Sequence, residues 1–368
     1  TEEQRNSLLA SMTDSVAELV LDNNIRQTQA ISLAMHRSKQ QYAEYQRFMI
    51  WLEGSAKLDR ELEFLPSDEQ LNDRISRGQP IWTRPELSVL VCYSKVMLKE
   101  ALLEANLPED SLLAGAVSRA FPSQLVELYP EDIAKHQLRL EIAATQLAND
   151  MVDRIGFTFF FRQLESTGAS PADIVRAFVI SINILGIDEL WQQVEKSQDS
   201  LPAKVQLDLL HILIRLVRRS SRWFLRNRRQ NLHCYDAIQS MSEPMGLVLE
   251  KLPDLHESEW INLWNDEKAQ LIEMGVTESM AATLAAADSM FFSLGTVDMA
   301  LRLQRPVELV ARLAFKLDED LSLDWFMSQI VGLQPQNRWQ DLARESYVDD
   351  LESQRRQLTA CLLEGCGG

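Results

Sequence analysis

The stretch from Pro130 to Gly156 constrains the fold of this chain more than any other. Pro130 suits the first turn of a helix, where its missing N–H is no loss, and Gly156 stands where a left-handed residue would close one. On a helical wheel Leu138, Ile142, Thr145 and Val152 fall on one side. Leu140, Ala144, Leu147, Ala148, Met151 and Ile155 fall on the side adjoining it. Together they make an apolar arc of roughly 220°, against the ~100° stripe of a surface helix. Such a helix is surrounded by other helices on most sides, so the stretch predicts a central helix in a helical array. The remaining arc carries His136, Arg139, Gln146, Asp150, Asp153 and Arg154, a single polar seam.

The rest of the chain carries the same message. Its 368 residues include only 13 Gly and 12 Pro, and period-2 apolar runs are absent. The pattern predicts helices over 2–12, 13–21 and 25–53, the last stopped by Gly54-Ser55, with Asn23-Asn24 as an interruption. A short helical turn over 58–65 ends at Pro66. Ser67 with Gln70, and Thr83 with Glu86, have capping-box spacing and open helices to about Arg77 and Ala105. Pro108 opens a helix to Phe121. After the central helix, further helices cover 170–186, 188–196, 202–232, 235–250, 258–274, 278–303 (broken near Gly295), 306–317, 322–331 and 337–364. The fold class is all-α, around fifteen helices about a buried central one, with no β-sheet of consequence. Gly78-Gln79-Pro80 is the first clear linker and divides 1–80 from 81–368.

A hydrophobic content of 46% and a charged content of 25% are those of a soluble globular protein. The net charge of −17 repels phosphate backbones, so no nucleic-acid partner is expected. No apolar run approaches the ~20 residues that span a bilayer, so no membrane is expected either. Cys92, Cys234, Cys361 and Cys366 are scattered, as reduced thiols of a cytoplasmic protein would be. The chain starts at Thr1 inside a helical pattern and stops at Gly365-Cys366-Gly367-Gly368 without a closing element. Both ends read as cuts in a longer polypeptide.

Motifs with chemistry are scarce. Neither G-x-G-x-x-G nor G-x-x-x-x-G-K-[ST] occurs, so no nucleotide cofactor is expected in this fragment. The five histidines (His36, His136, His211, His233 and His256) lie far apart, and no H-E-x-x-H is present, so no metal is expected. There is no G-x-S-x-G elbow, and no catalytic residue is assigned. The clearest charge feature is on the helix after Pro202. Arg215, Arg218, Arg219, Arg222, Arg226 and Arg229 fall within an arc of about 100°, with Leu209, Leu213, Leu216, Val217 and Phe224 opposite. Six guanidiniums suit an anionic ligand or a partner. The plainer reading pairs them with carboxylates of a neighbouring helix and is favoured, because charge runs are usually solvated or paired. The polar seam has the same two readings, an effector groove or a packing groove. Glu141 and Asn149, inside the apolar arc, are expected to fix helix register.

Several runs, in order, resemble the large bacterial NAD-specific glutamate dehydrogenases beyond their catalytic core. They are Met12 to Asn24 with Gln27 to Ala30, Leu58 to Glu63 with Leu65-Pro66, Thr83 to Leu90 with Tyr93 to Lys95, His136 to Arg139 with Glu141-Ile142, Thr145 to Asp150 through Gly156 to Phe159, Gly168-Ala169 with Arg176-Ala177, Arg222-Trp223 and Trp339 to Leu351. The resemblance covers nearly the whole chain. It implies a non-catalytic C-terminal helical portion, structural, oligomerising or regulatory, of a cytoplasmic homo-oligomeric enzyme. That enzyme converts L-glutamate, NAD and water to 2-oxoglutarate, ammonium and NADH. NAD would bind the full-length enzyme upstream, and the fragment alone would be inactive. Its partner would be the upstream catalytic domains, and apolar surface on residues 8–52 should then stand exposed or be covered by another copy. The alternative is a stand-alone helical module that binds a partner or small anion through the arginine face.

Overall fold

The computed structural model describes residues 2–105, 111–197, 199–229, 232–333 and 337–365. Among them are twenty α-helices and no strand. The chain forms two compact units, residues 1–176 and 177–368. The first contains α1 (Glu2–His36), α2 (Tyr42–Gly54), α3 (Asp68–Ser76), α4 (Arg84–Glu104), α5 (Ser111–Ser118), α6 (Ser123–Leu128), α7 (Pro130–Ala134), α8 (Arg139–Ile155) and α9 (Phe159–Thr167). The boundary falls inside α10 (Pro171–Ile184). The second unit continues with α11 (Ile187–Lys196), α12 (Ala203–Asn227), α13 (Cys234–Glu250), α14 (Leu252–Leu255) and α15 (Ser258–Glu273). It closes with α16 (Glu278–Ala285), α17 (Ala287–Leu303), α18 (Val307–Asp320), α19 (Leu323–Gly332) and α20 (Arg338–Glu364).

Local signals account for many of the ends. Both capping boxes form: the Ser67 hydroxyl accepts from the Gln70 N–H at 3.2 Å and the Gln70 side chain accepts from the Ser67 N–H at 2.9 Å. The Glu86 carboxylate accepts from the Thr83 N–H at 2.7 Å and also holds Arg74 at 2.8 and 2.9 Å. Gly156, at φ +94, closes α8 as its position requires.

Other boundaries differ from the sequence expectation. Residues 2–36 form one helix, with neither Thr13 nor Asn23-Asn24 breaking it. The Thr13 hydroxyl bonds back to the Leu9 carbonyl at 3.1 Å, which satisfies it inside the helix. The expected helix over 25–53 is interrupted at residues 37–41, and 58–65 is a turn. The Pro130–Gly156 stretch is two helices: the His136 ring nitrogen accepts the Leu138 N–H at 3.1 Å, fixing a turn ahead of α8. Residues 278–303 break at Ala286, while Gly295 sits mid-helix in α17. The start of the helix expected from Pro108, and Cys366, lie outside the described residues.

The hub of unit 1 is aromatic. Tyr45 and Phe48 of α2 meet Phe157 at 4.5 and 5.5 Å between ring centroids, with Trp82 buried beside Tyr45. The small residues Ala143, Ala144 and Ala148 let α8 pack on α4, α5 and α1. The first turn of α8 remains in solvent, so Glu141 is exposed and is not a register-fixing core residue. In unit 2 the helix enclosed on most sides is α17, thirteen of whose residues are buried against α12, α13, α18 and α20.

Candidate functional site

In unit 2 the arginine face of α12 becomes one wall of a cleft of about 270 Å³. Arg219, Arg222 and Arg226 recur at helical spacing, so they share the face opposite buried Leu213, Leu216, Val217 and Phe224. α20 faces them with Glu345, Asp349 and Glu352, also at helical spacing. Arg222 bridges Glu345 at 3.0 Å and Asp349 at 2.8 Å, and Arg226 reaches the same Asp349 at 3.2 Å. Arg219 pairs with Asp288 of α17 and lies 4.1 Å from the Phe291 ring centroid. Arg356 of α20 closes the wall by donating to Asn227 Oδ1 at 2.6 Å. The i, i+4, i+7 run of acids on α20 was the available sign of this pairing, and sequence reasoning missed it.

The other predicted arginines are placed differently. Arg215 is exposed on α12 and Arg218 is half-buried. Arg229 lies past the end of the helix at Asn227, where α12 stops short of the expected Leu232. Its neighbour Arg228 instead ties α12 to buried Asp298 of α17 at 2.7 Å.

Beneath the cleft lies a charge cluster without a sequence signature. Arg355, itself buried, grips Asp318 of α18 through two nitrogens at 2.5 Å. Its guanidinium also donates to the Phe292 carbonyl at 3.3 Å and sits 3.9 Å from Glu352. Two buried carboxylates thus share one guanidinium. Burial pushes the Asp318 carboxyl up to about 6, outweighing the attraction of Arg355. Burial pushes Glu352 up as well. His256, stacked between Trp260 at 3.9 Å and Phe315 at 4.1 Å, is driven down to about 3 by burial and by Arg355. Gly295 completes the packing: a Cβ there would come within 3.0 Å of the Arg356 side chain.

The polar seam belongs to unit 1. Asp153 is buried against Lys95 of α4 at 2.8 Å, and burial raises its carboxyl despite that cation. Asp150 pairs with Arg119 at 2.8 Å and approaches Arg26 of α1 at 4.0 Å. His136 lies in the turn before α8, its ring 5.8 Å from that of Phe121. Arg139 is exposed, and Gln146 and Arg154 are half-buried. Chemically, cleft and seam are alike: cations and carboxylates neutralise one another across helix contacts. Among the described residues no group of three or more His, Cys, Asp or Glu could hold a metal ion.

Among the described residues the chain is all-helical, and the charges of cleft and seam pair between helices. Residues 80–368 match the family described as glutamate dehydrogenase, C-terminal, and the chain belongs to that family. Residues 1–34 match the catalytic domain of bacterial NAD-glutamate dehydrogenase. The chain is 40% identical over its whole length to the NAD-specific glutamate dehydrogenase of Halomonas elongata, covering 23% of that protein. It is 41% identical over 99% of its length to the enzyme of that name from Pseudomonas aeruginosa, covering 22%. For the Mycobacterium tuberculosis enzyme the identity is 31% over 97%, again covering 22%. The chain therefore spans less than a quarter of these relatives.

Proposed function

We propose that this chain is the non-catalytic helical portion of an NAD-dependent glutamate dehydrogenase, which oxidatively deaminates L-glutamate to 2-oxoglutarate and ammonium. Its role is to support and orient the catalytic portion upstream. The observation that carries this reading is the outward face of α1. Leu9, Val16 and Val20 are 55%, 45% and 56% exposed. They fall within about 40° of one another on the helix. A solvent-exposed apolar stripe on an ordered helix calls for a covering surface. It lies in the residues that match the catalytic domain, so the covering surface is the rest of that domain. That Cys92, Cys234 and Cys361 are not in disulfides supports a reducing, cytoplasmic setting. The pairing of Arg219, Arg222 and Arg226 with carboxylates argues against the alternative of a free-standing anion-binding module.

The test is a Val16→Glu, Val20→Glu variant made both in the full-length polypeptide and in this chain. In the full-length enzyme it abolishes glutamate-dependent NAD reduction and subunit assembly. In this chain the melting temperature moves by no more than about 2 °C, since the residues are on the surface. Full activity and unchanged mass in the full-length variant would refute the reading.

A further inference from the structure

Between α2 and α3 the first unit holds out a second apolar feature. Residues 55–67 pass twice through the left-handed backbone region at residues other than glycine, Ala56 at φ +55 and Phe64 at φ +54. For a bulky side chain this conformation is strained. No burial offsets the strain, because Phe64 is 90% exposed and its neighbour Leu62 is 73% exposed.

The loop is nevertheless tied down on every side. Leu58 and Leu65 are buried at its two ends. Arg60 spans it, pairing with Glu53 at 2.7 Å and Asp68 at 2.8 Å. The Leu65 N–H donates to the Arg60 carbonyl at 2.8 Å, and Asp59 caps the N–H groups of Glu61 and Leu62 at 3.0 and 3.1 Å. The Tyr93 hydroxyl donates to Glu63 at 2.8 Å. The fold therefore uses a network of bonds to keep two apolar side chains in water.

The surroundings are acidic. Residues 53–70 carry six carboxylates and two cations. Both cations are engaged, Arg60 as above and Lys57 with Glu100 at 2.7 Å. An open hollow of about 930 Å³ borders Asp59, Glu61, Phe64 and Glu69.

We infer that Leu62 and Phe64 form a pre-organised knob that seats in an apolar socket ringed by Lys and Arg on the catalytic portion of the full polypeptide. This rests on the function proposed above. Holding the knob rigid lowers the entropy lost on docking. The ring of carboxylates selects a basic surface and disfavours the same patch on a second copy of this chain, whose net charge is −17. The catalytic portion is the occupant because the catalytic-domain match falls in this same unit and the relatives extend far beyond the matched length.

Two experiments test it. With benzoylphenylalanine at position 64 of the full-length protein, irradiation is expected to cross-link a Lys- or Arg-bordered peptide upstream of residue 1. A cross-link to residues 1–368 of another copy, or none, overturns the inference. Phe64→Gly removes the aromatic half of the knob and the strain at that position. It is expected to raise the melting temperature of this chain alone while shortening the thermal-inactivation half-life of the full-length enzyme. If both preparations gain stability together, Phe64 docks nowhere. The Val16→Glu, Val20→Glu variant reads the proposed function separately, so loss of activity there with no effect of Phe64→Gly sinks only the knob.

Discussion

Arg355 carries two buried carboxylates, and that imbalance makes this point of the molecule sensitive to proton concentration. The Asp318 carboxyl sits at about 6 in the folded chain against an ordinary 3.8. Between about pH 4 and pH 6 the folded chain holds a proton that the unfolded chain has released, so stability falls as pH rises through that window. His256 works in the opposite sense: lowered from 6.5 to about 3, it leaves the unfolded chain to take up a proton as pH falls below 6.5. The difference between the wild type and Asp318→Asn isolates the first effect. From about pH 4.5 to pH 7 the variant is expected to gain about 2 kcal/mol relative to the wild type, read from urea midpoints. A pH-independent difference would show that Asp318 does not titrate there. None of this was legible beforehand. Arg355, Asp318 and Glu352 are ordinary charged residues in sequence, and only the closure of α18 and α20 on α17 removes water from them.

At the scale of helices, the contact of α12 with α20 rests on complementary stripes. Arg222 serves two carboxylates at once, so Arg222→Ala removes a cation from both Glu345 and Asp349, while Arg226 still reaches Asp349. The expected loss is about 2–3 kcal/mol, less than for a fully buried pair because part of the side chain reaches water. Arg222→Lys recovers little, since an ammonium lacks the fork that spans two carboxylates. Arg215→Ala, on the exposed part of the same face, stays within about 0.5 kcal/mol. Equal urea midpoints for the alanine variants at 215 and 222 would contradict the clamp. The enclosure of α17 is masked in sequence by its composition. Ser289, Ser293 and Thr296 count as polar by type but are buried, and the hydroxyls of Ser293 and Thr296 bond back to the carbonyls of Ser289 and Phe292 at 2.7 and 3.3 Å. Once satisfied in that way they pack as small core residues.

At the scale of the whole molecule, the sequence carries neither a phosphate-binding glycine loop nor a G-x-S-x-G elbow. Incubated with L-glutamate and NAD, the purified chain is expected to form no NADH. Sustained NADH formation by this preparation would reveal a site within it. The all-α class and the capped ends of α3 and α4 were determined by sequence alone. They depend on contacts a few residues apart: a hydroxyl reaching a nearby N–H, a glycine free to turn left, an apolar period near 3.6. Which helix is enclosed, which arginines find carboxylates and which apolar side chains stay in water depend on residues from tens to more than a hundred positions apart. Arg222 meets Asp349 across 127 positions. The Pro130–Gly156 stretch shows the division plainly. Part of its apolar arc packs on α4, α5 and α1, while Leu138 is 55% exposed and Ile142 and Thr145 are half-buried. Its length was cut by the turn at His136, and the most enclosed helix of unit 2 proved to be α17, because burial is settled by what the rest of the chain brings alongside.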